Sequence, residues 1–248
     1  MSIDGIASYG QTISDLLPSE DLSLMKTGCD SAGRLRRMYA LMDAHFGDLH
    51  WWPADEPFEV IVGAILTQNT AWRNVTLAIA KLKEAEVLSP GGLDGIGEDR
   101  LADLIRSSGY YRVKAGRLKA LVRFLKEEYG GSMDCLAAEE TTTLRSKLLK
   151  VHGIGEETAD SILLYACRKP VFVVDAYTRR ILMRHEIIRP QASYAEVQNL
   201  FMHNLAPDVY LYNQYHALIV NTGKEFCKKK GLCPQCPLKE ISSVMTGD

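Results

Sequence analysis

The stretch 148–180 constrains the fold of this chain more than any other. An apolar helix end, Leu148-Leu149-Lys150-Val151, runs into His152-Gly153-Ile154-Gly155, and a second helix opens at once with Glu156-Glu157-Thr158-Ala159. Two helices must therefore meet through a very short turn. Glycine permits positive φ and close backbone approach, and the first turn of the second helix presents N–H groups that no carbonyl of its own helix reaches. Gly153 and Gly155 thus form a candidate cradle for an anion such as a backbone phosphate. Taken alone, a Gly-x-Gly turn is equally an ordinary connection between helices.

The residues beyond the turn are more specific. One helix leads to Lys169-Pro170-Val171-Phe172-Val173-Val174-Asp175, and then to a basic helix starting Ala176-Tyr177-Thr178-Arg179-Arg180. A carboxylate thus stands at the end of an apolar segment and at the start of a helix. Asp175 is well suited to cap that helix, and this role can coexist with chemistry.

The rest of the chain reads as all-α. Leu35, Met38, Tyr39, Met42 and Phe46 recur at helical spacing, as do Leu118, Leu121, Val122 and Leu125, and again Val197, Leu200, Phe201 and Leu205. Residues 59–66 are apolar nearly all round, as a central buried helix would be. Only residues 170–174 look strand-like, and they are too short and solitary to build a sheet. Gly and Pro punctuate these segments at Pro53, Pro90-Gly91-Gly92, Gly130-Gly131 and Pro207. With 248 residues, 46% of them hydrophobic, the chain can bury a normal core in one large domain or two small ones. Residues 1–32 carry little periodicity and read as an extension.

No apolar stretch approaches the roughly 20 residues of a membrane span, and the N-terminal residues lack the basic and apolar regions of a secretory signal. The expectation is a cytoplasmic protein with no membrane contact. Lys and Arg number 29 against 31 Asp and Glu, a net charge of −2, so there is no global basic footprint of the kind a dedicated nucleic-acid-binding domain carries. Any contact with nucleic acid falls to local groups: Lys114, Arg117 and Lys119; Arg179, Arg180 and Arg184; and Lys228, Lys229 and Lys230. Each group is equally a solvated helix face.

The whole run HGIGEETADSILLYACRKPVFVVDAYTRRIL resembles the core of the endonuclease III and helix-hairpin-helix DNA glycosylase superfamily. The resemblance implies that Asp175 is catalytic, set near C1′ of a nucleotide flipped out of the duplex. There its carboxylate would stabilise an oxocarbenium-like sugar or activate water. In bifunctional members the second residue after the hairpin glycine is a lysine, whose amine attacks C1′ and forms a Schiff base. Here that position is Glu157, which implies a monofunctional glycosylase; Glu157 also suits the dipole of its helix as a first-turn acid.

Two further regions, His50-Trp51-Trp52-Pro53 with the run ILTQNTAW at 65–72, and SGYYRVKA at 108–115, resemble the endonuclease III-like 3-methyladenine DNA glycosylases of bacteria. This resemblance spans about residues 33–226. It implies that Trp52 and Trp72 enclose a damaged base, that Gln68 enters the duplex where the base has left, and that Lys114 contacts DNA. An alkylated purine is positively charged, so it stacks well between aromatic faces and leaves readily. Tryptophan is more commonly a core residue, and Gln68 is otherwise a polar helix end. The implied fold is two-lobed: residues 53–165 in one lobe, 33–52 with 166–226 in the other, and 227–248 as a cysteine loop and tail. The implied partner is double-stranded DNA carrying a damaged base, acted on by a monomer associated with the nucleoid. A bifunctional glycosylase and AP lyase, an enzyme for oxidised or mismatched pyrimidines, and a non-catalytic DNA-binding module stay open as alternatives.

Of the six cysteines, Cys29, Cys135 and Cys167 are scattered and read as unpaired thiols. Cys227, Cys233 and Cys236, in the run CKKKGLCPQCPL, resemble the C-terminal iron–sulfur loop of endonuclease III relatives, where four cysteines hold a 4Fe–4S cluster. The fourth ligand would fall near Ser242, and no cysteine comes after it. A cluster completed by Ser242, water or a distant cysteine, a metal-free remnant, and a zinc site of three cysteines are the readings open here.

Overall fold

The computed structural model describes residues 31–52, 54–228 and 232–241. The extension before residue 31, Lys229, Lys230 and Ser242 lie outside the described residues. The helices are α1 Ser31–Phe46, α2 Pro57–Leu66, α3 Trp72–Glu84, α4 Pro90–Gly95, α5 Glu98–Leu104, α6 Tyr111–Tyr129, α7 Met133–Ala138 and α8 Thr141–Leu148. They continue with α9 Glu156–Ser161, α10 Ala176–Arg184, α11 Tyr194–Asn204 and α12 Val209–Glu225. No strand occurs among the described residues, so the all-α expectation holds. No described helix is long and apolar enough to cross a membrane.

The helix starts obey local chemistry. Pro57 opens α2 at the position where its missing N–H costs nothing. Ser193 and Glu196 close a reciprocal capping box on α11, and Asp208 caps α12 through Leu211 N at 2.7 Å. Helix α2 is buried from Val60 to Leu66, as its all-round apolarity requires. It packs on α3, α6 and α9, while α4, α5 and α7 line α6. A second group forms where α1 packs on α11 and α12, and α10 on α12. Helix α9 runs directly into a π turn, Ile162–Ala166, that touches both α2 and α12. The π turn therefore joins the two groups.

Residues 171–174 are buried but pair with no strand. Their polar groups are met by side chains instead: Phe172 O accepts from Gln198 Nε2 at 2.7 Å, and Val174 N donates to Tyr194 Oη at 3.3 Å. The Phe172 ring stacks on Phe201 at 3.7 Å between centroids, with Tyr212 and Tyr215 edge-on. This aromatic packing sets the segment in place without a sheet.

Lys114 requires a correction. Expected at the DNA, it is 1% exposed, and its ammonium donates to Leu66 O at 2.8 Å, Thr70 Oγ1 at 2.7 Å and Ser108 O at 2.7 Å. Three donors meet three acceptors, leaving nothing for a phosphate. Burial and the neighbouring Arg117 charge push its pKa down to about 8. Lys114 is thus a strut that ties the loop after α2 to the loop before α6. Lys119 is engaged in the same way, donating to Leu93 O at 2.7 Å, Asp94 O at 2.9 Å and Ile96 O. Substituting Lys114→Met should leave Leu66 O without this donor and break the link through Thr70 and Ser108, lowering stability by about 2–4 kcal/mol in urea unfolding.

Candidate active site

The route to Asp175 begins with one buried charge. Asp160, in α9, accepts from Arg145 Nε at 2.6 Å and Nη2 at 3.0 Å, a two-pronged pairing, and from Gln198 Nε2 at 2.7 Å. Since the same Gln198 amide holds Phe172 O, helix α9 and the extended segment are locked to α11 together. The segment then ends at Asp175, which caps α10. Its Oδ1 accepts from Thr178 N at 2.7 Å and Thr178 Oγ1 at 2.8 Å. The capping role is real, and it occupies one carboxylate oxygen only.

The other oxygen lies toward α12. Oδ2 lies 3.8 Å from Nε2 of His216, a buried α12 residue whose Nδ1 is hydrogen-bonded to Tyr165 Oη. Lys224, two helical turns further along α12, lies in the field of Asp175 with its ammonium 5.4 Å from the Trp51 ring centroid. Partial burial lowers the Lys224 pKa, with Asp175 pulling it the other way. Glu157 is open to solvent along one side yet closely walled by protein. That desolvation, together with the charge of Asp175, raises its pKa to about 7.

The tryptophans converge beside this group. Trp52 and Trp72 stand at 5.0 Å between ring centroids and nearly perpendicular, and Trp51 lies 5.8 Å from Trp52. Tyr165 leans on Trp52 at 5.0 Å. All three indoles are only half-buried. A Cβ at Gly63 would touch Trp52 Cζ2 at 3.4 Å and Trp72 Cη2 at 3.7 Å, ordinary contact distances, so both rings lie close against this face of α2.

Gly153 adopts φ of +84°, and an added Cβ would lie 2.3 Å from Arg117 Cγ, so both conformation and space demand glycine. Gly155 is extended and caps α9 with no side-chain acceptor, leaving that helix start without an internal cap. Gln68 is tethered to the hairpin: its Nε2 donates to Gly153 O at 3.1 Å and to Thr158 Oγ1 at 2.9 Å, and its Oε1 accepts from Arg117 Nη1. Entry of this side chain into a duplex would exchange those bonds. Tyr110, in a left-handed conformation after Gly109, is 75% exposed, and its loop is bonded to the Gln68 loop through Thr70 Oγ1 and Ser108 O.

The second basic group is also engaged within the fold. Arg179 donates to Ala192 O at 2.5 Å, Arg180 to Gly223 O at 3.2 Å, and Arg184 to Lys228 O at 2.8 Å and Cys227 Sγ at 3.1 Å. The sulfurs of Cys227, Cys233 and Cys236 lie near enough for burial and mutual charge to raise the Cys236 thiol. Yet among the described residues no three donors converge to hold a metal ion. With one thiol facing an arginine and no fourth cysteine in the loop, the residues present do not make up a four-thiolate set.

Sequence reasoning missed Tyr165, His216, Lys224 and the Asp160–Gln198 lock. Their separations along the chain carry no pattern, since each meets its partner only across packed helices. Tyr110 alone had a signal, an aromatic directly after Ser108-Gly109 at a helix start.

Comparison with known proteins agrees with this geometry. Residues 62–207 match the family described as HhH-GPD superfamily base excision DNA repair protein. A provisionally named DNA repair glycosylase of Methanocaldococcus jannaschii is 46% identical over 206 residues, covering 83% of this chain and 94% of that protein. The crystal structure of Helicobacter pylori 3-methyladenine DNA glycosylase bound to 1,N6-ethenoadenine aligns with a TM-score of 0.68 and 30% identity, over 79% of this chain and 98% of that one. A non-covalent endonuclease III–DNA complex aligns with a TM-score of 0.74 over 87% and 96% of the two chains, and at 24% identity it bears on the fold alone. The chain belongs to the HhH-GPD superfamily of base excision DNA repair proteins, and it is a DNA N-glycosylase.

Proposed function

We propose that this glycosylase is monofunctional and releases an alkylated purine such as 3-methyladenine from double-stranded DNA. The observation that carries the reading is the half-open cluster of Trp52, Trp72 and Tyr165 set beside two carboxylates, with Glu157 in place of a lysine. A purine cation gains from both features: ring faces attract it, and the negative site favours its charge. The H. pylori structure, a 3-methyladenine enzyme holding an ethenoadenine, supports a purine pocket of this kind.

In this reading the flipped nucleotide seats its base against the tryptophans and its C1′ toward Asp175 Oδ2. The N-glycosidic bond breaks with its electron pair leaving on the base. Asp175 stabilises the positive sugar while water adds to C1′, and the proton lost by the water passes to the Asp175 carboxylate and from there to solvent. The hairpin, through Gly153 and Gly155, meets a phosphate, and Gln68 and Tyr110 meet the duplex beside the flipped nucleotide.

A second reading rests on Lys224, an amine of lowered pKa in the field of Asp175. It would make the enzyme a glycosylase and lyase with the nucleophile supplied from α12 instead of the hairpin. Borohydride trapping on lesion duplex separates the two: no covalent adduct is expected, and an adduct abolished by Lys224→Met would establish the second reading.

Asp175→Asn should abolish base release from an alkylated duplex while leaving duplex binding intact, as measured by single-turnover excision and by anisotropy. Loss of binding in parallel would point to the capping role alone. Glu157 supplies a pH test. Its folded pKa of about 7 lies above the ordinary 4.5, so the folded chain binds the proton more tightly and stability is lost as pH rises from about 4.5 through 7. Glu157→Gln removes that loss. The variant should therefore gain stability over the parent in urea unfolding between about pH 5 and pH 8.

A further inference from the structure

His216 is 5% exposed, and its Nε2 has no hydrogen-bond partner although it is fully buried. An unmet polar nitrogen in a helix core is costly unless it serves a purpose. Its surroundings define that purpose. Nδ1 is hydrogen-bonded to Tyr165 Oη from the π turn, and Nε2 lies 3.8 Å from Asp175 Oδ2 at the start of α10, beyond direct hydrogen-bond reach. The tyrosine is buried, and burial with the nearby Asp175 charge holds its pKa well above 10, so its hydroxyl keeps its proton. A protonated hydroxyl can donate to Nδ1 or accept from it; when it donates, Nδ1 is bare and the neutral ring carries its proton on Nε2, the nitrogen nearer Asp175.

We infer that His216 is a positioning residue for the reaction: Tyr165 donates to Nδ1 and so keeps the ring proton on Nε2, and that N–H, 3.8 Å from the free oxygen of Asp175, orients the carboxylate by its dipole without a direct hydrogen bond. The inference rests on Asp175 being the catalytic carboxylate. With Oδ1 held by Thr178 N and Oγ1, an N–H dipole on the Oδ2 side disfavours rotation of the carboxylate about its own axis. Burial lowers the His216 pKa, Lys224 lowers it further, and Asp175 opposes both, so the neutral ring is favoured. The arrangement also links two parts of the site. Tyr165 leans on Trp52, so the wall of the base pocket and the carboxylate that faces C1′ are joined through two side chains. A base seated against Trp52 presses on the same tyrosine that sets the histidine proton.

Two measurements test this on the full-length chain. Nitrogen-15 NMR of labelled histidine, with the His216 signals assigned by their loss in His216→Gln, should show a protonated Nε2 and a bare Nδ1 near about pH 8. Asp175→Asn should shift the Nε2 signal, and Tyr165→Phe should release the tautomer. A proton on Nδ1, or an Nε2 signal indifferent to Asp175→Asn, would overturn the inference, and this readout needs no activity.

Single-turnover excision supplies the second readout. His216→Phe should slow base release by about 100-fold, the scale of a misplaced reacting group, with duplex affinity kept within about threefold. His216→Gln, whose amide N–H reaches where Nε2–H stood, should recover most of the rate. Equal losses in both variants, or no loss in His216→Phe, would sink the inference while leaving the glycosylase reading intact. Failure of the parent to release an alkylated purine would instead sink the substrate assignment, with the NMR result still deciding the role of His216. If His216→Phe does not fold, Tyr165→Phe carries the kinetic test.

Discussion

The buried carboxylate of Asp160 is the interaction on which the site depends. Its side chain is fully withdrawn from solvent and is answered by a two-pronged arginine from α8 and an amide from α11. Breaking such a pairing from one side leaves an uncompensated charge, at a cost on the order of 3–5 kcal/mol. Because Gln198 also holds the Phe172 carbonyl, the hairpin helix and the apolar segment move as one body. Asp175 sits at the end of that body, and the position of a single carboxylate is thus set by a network begun in another helix.

The distribution of cations has a related logic. A chain of net charge −2 has few positive groups to devote to a polyanion, and its clustered Lys and Arg residues are largely bound to carbonyls within the fold. Lys114 joins the loop of Gln68 to the loop of Tyr110, and Arg117 fills the space over Gly153 while holding Gln68. These residues shape the loops around the turn at Gly153 while their charges are spent inside the fold. The backbone N–H groups at the start of α9, by contrast, carry no side-chain cap.

Much of this was legible in the chain. Helical periodicity, the all-round apolarity of α2, the glycines of the turn and the placement of Asp175 after an apolar segment are local properties, and the structure has the helices, the turn and the cap where those properties put them. The basic clusters misled because charge along a sequence says nothing of what faces it. Lys114 falls on the buried side of α6, where backbone carbonyls of two loops converge, and only packing reveals those acceptors.

The sequence by itself determined the helical class, the short turn at Gly153 and the cap at Asp175, because each depends on residues within one or two turns of each other. Only the tertiary structure decided what surrounds the aspartate. Tyr165, His216 and Asp175 come from three different elements, and the tryptophans from a fourth and fifth. Proton positions, raised pKa values and ring faces are set by burial and by contacts across helices, and no spacing along the chain encodes them.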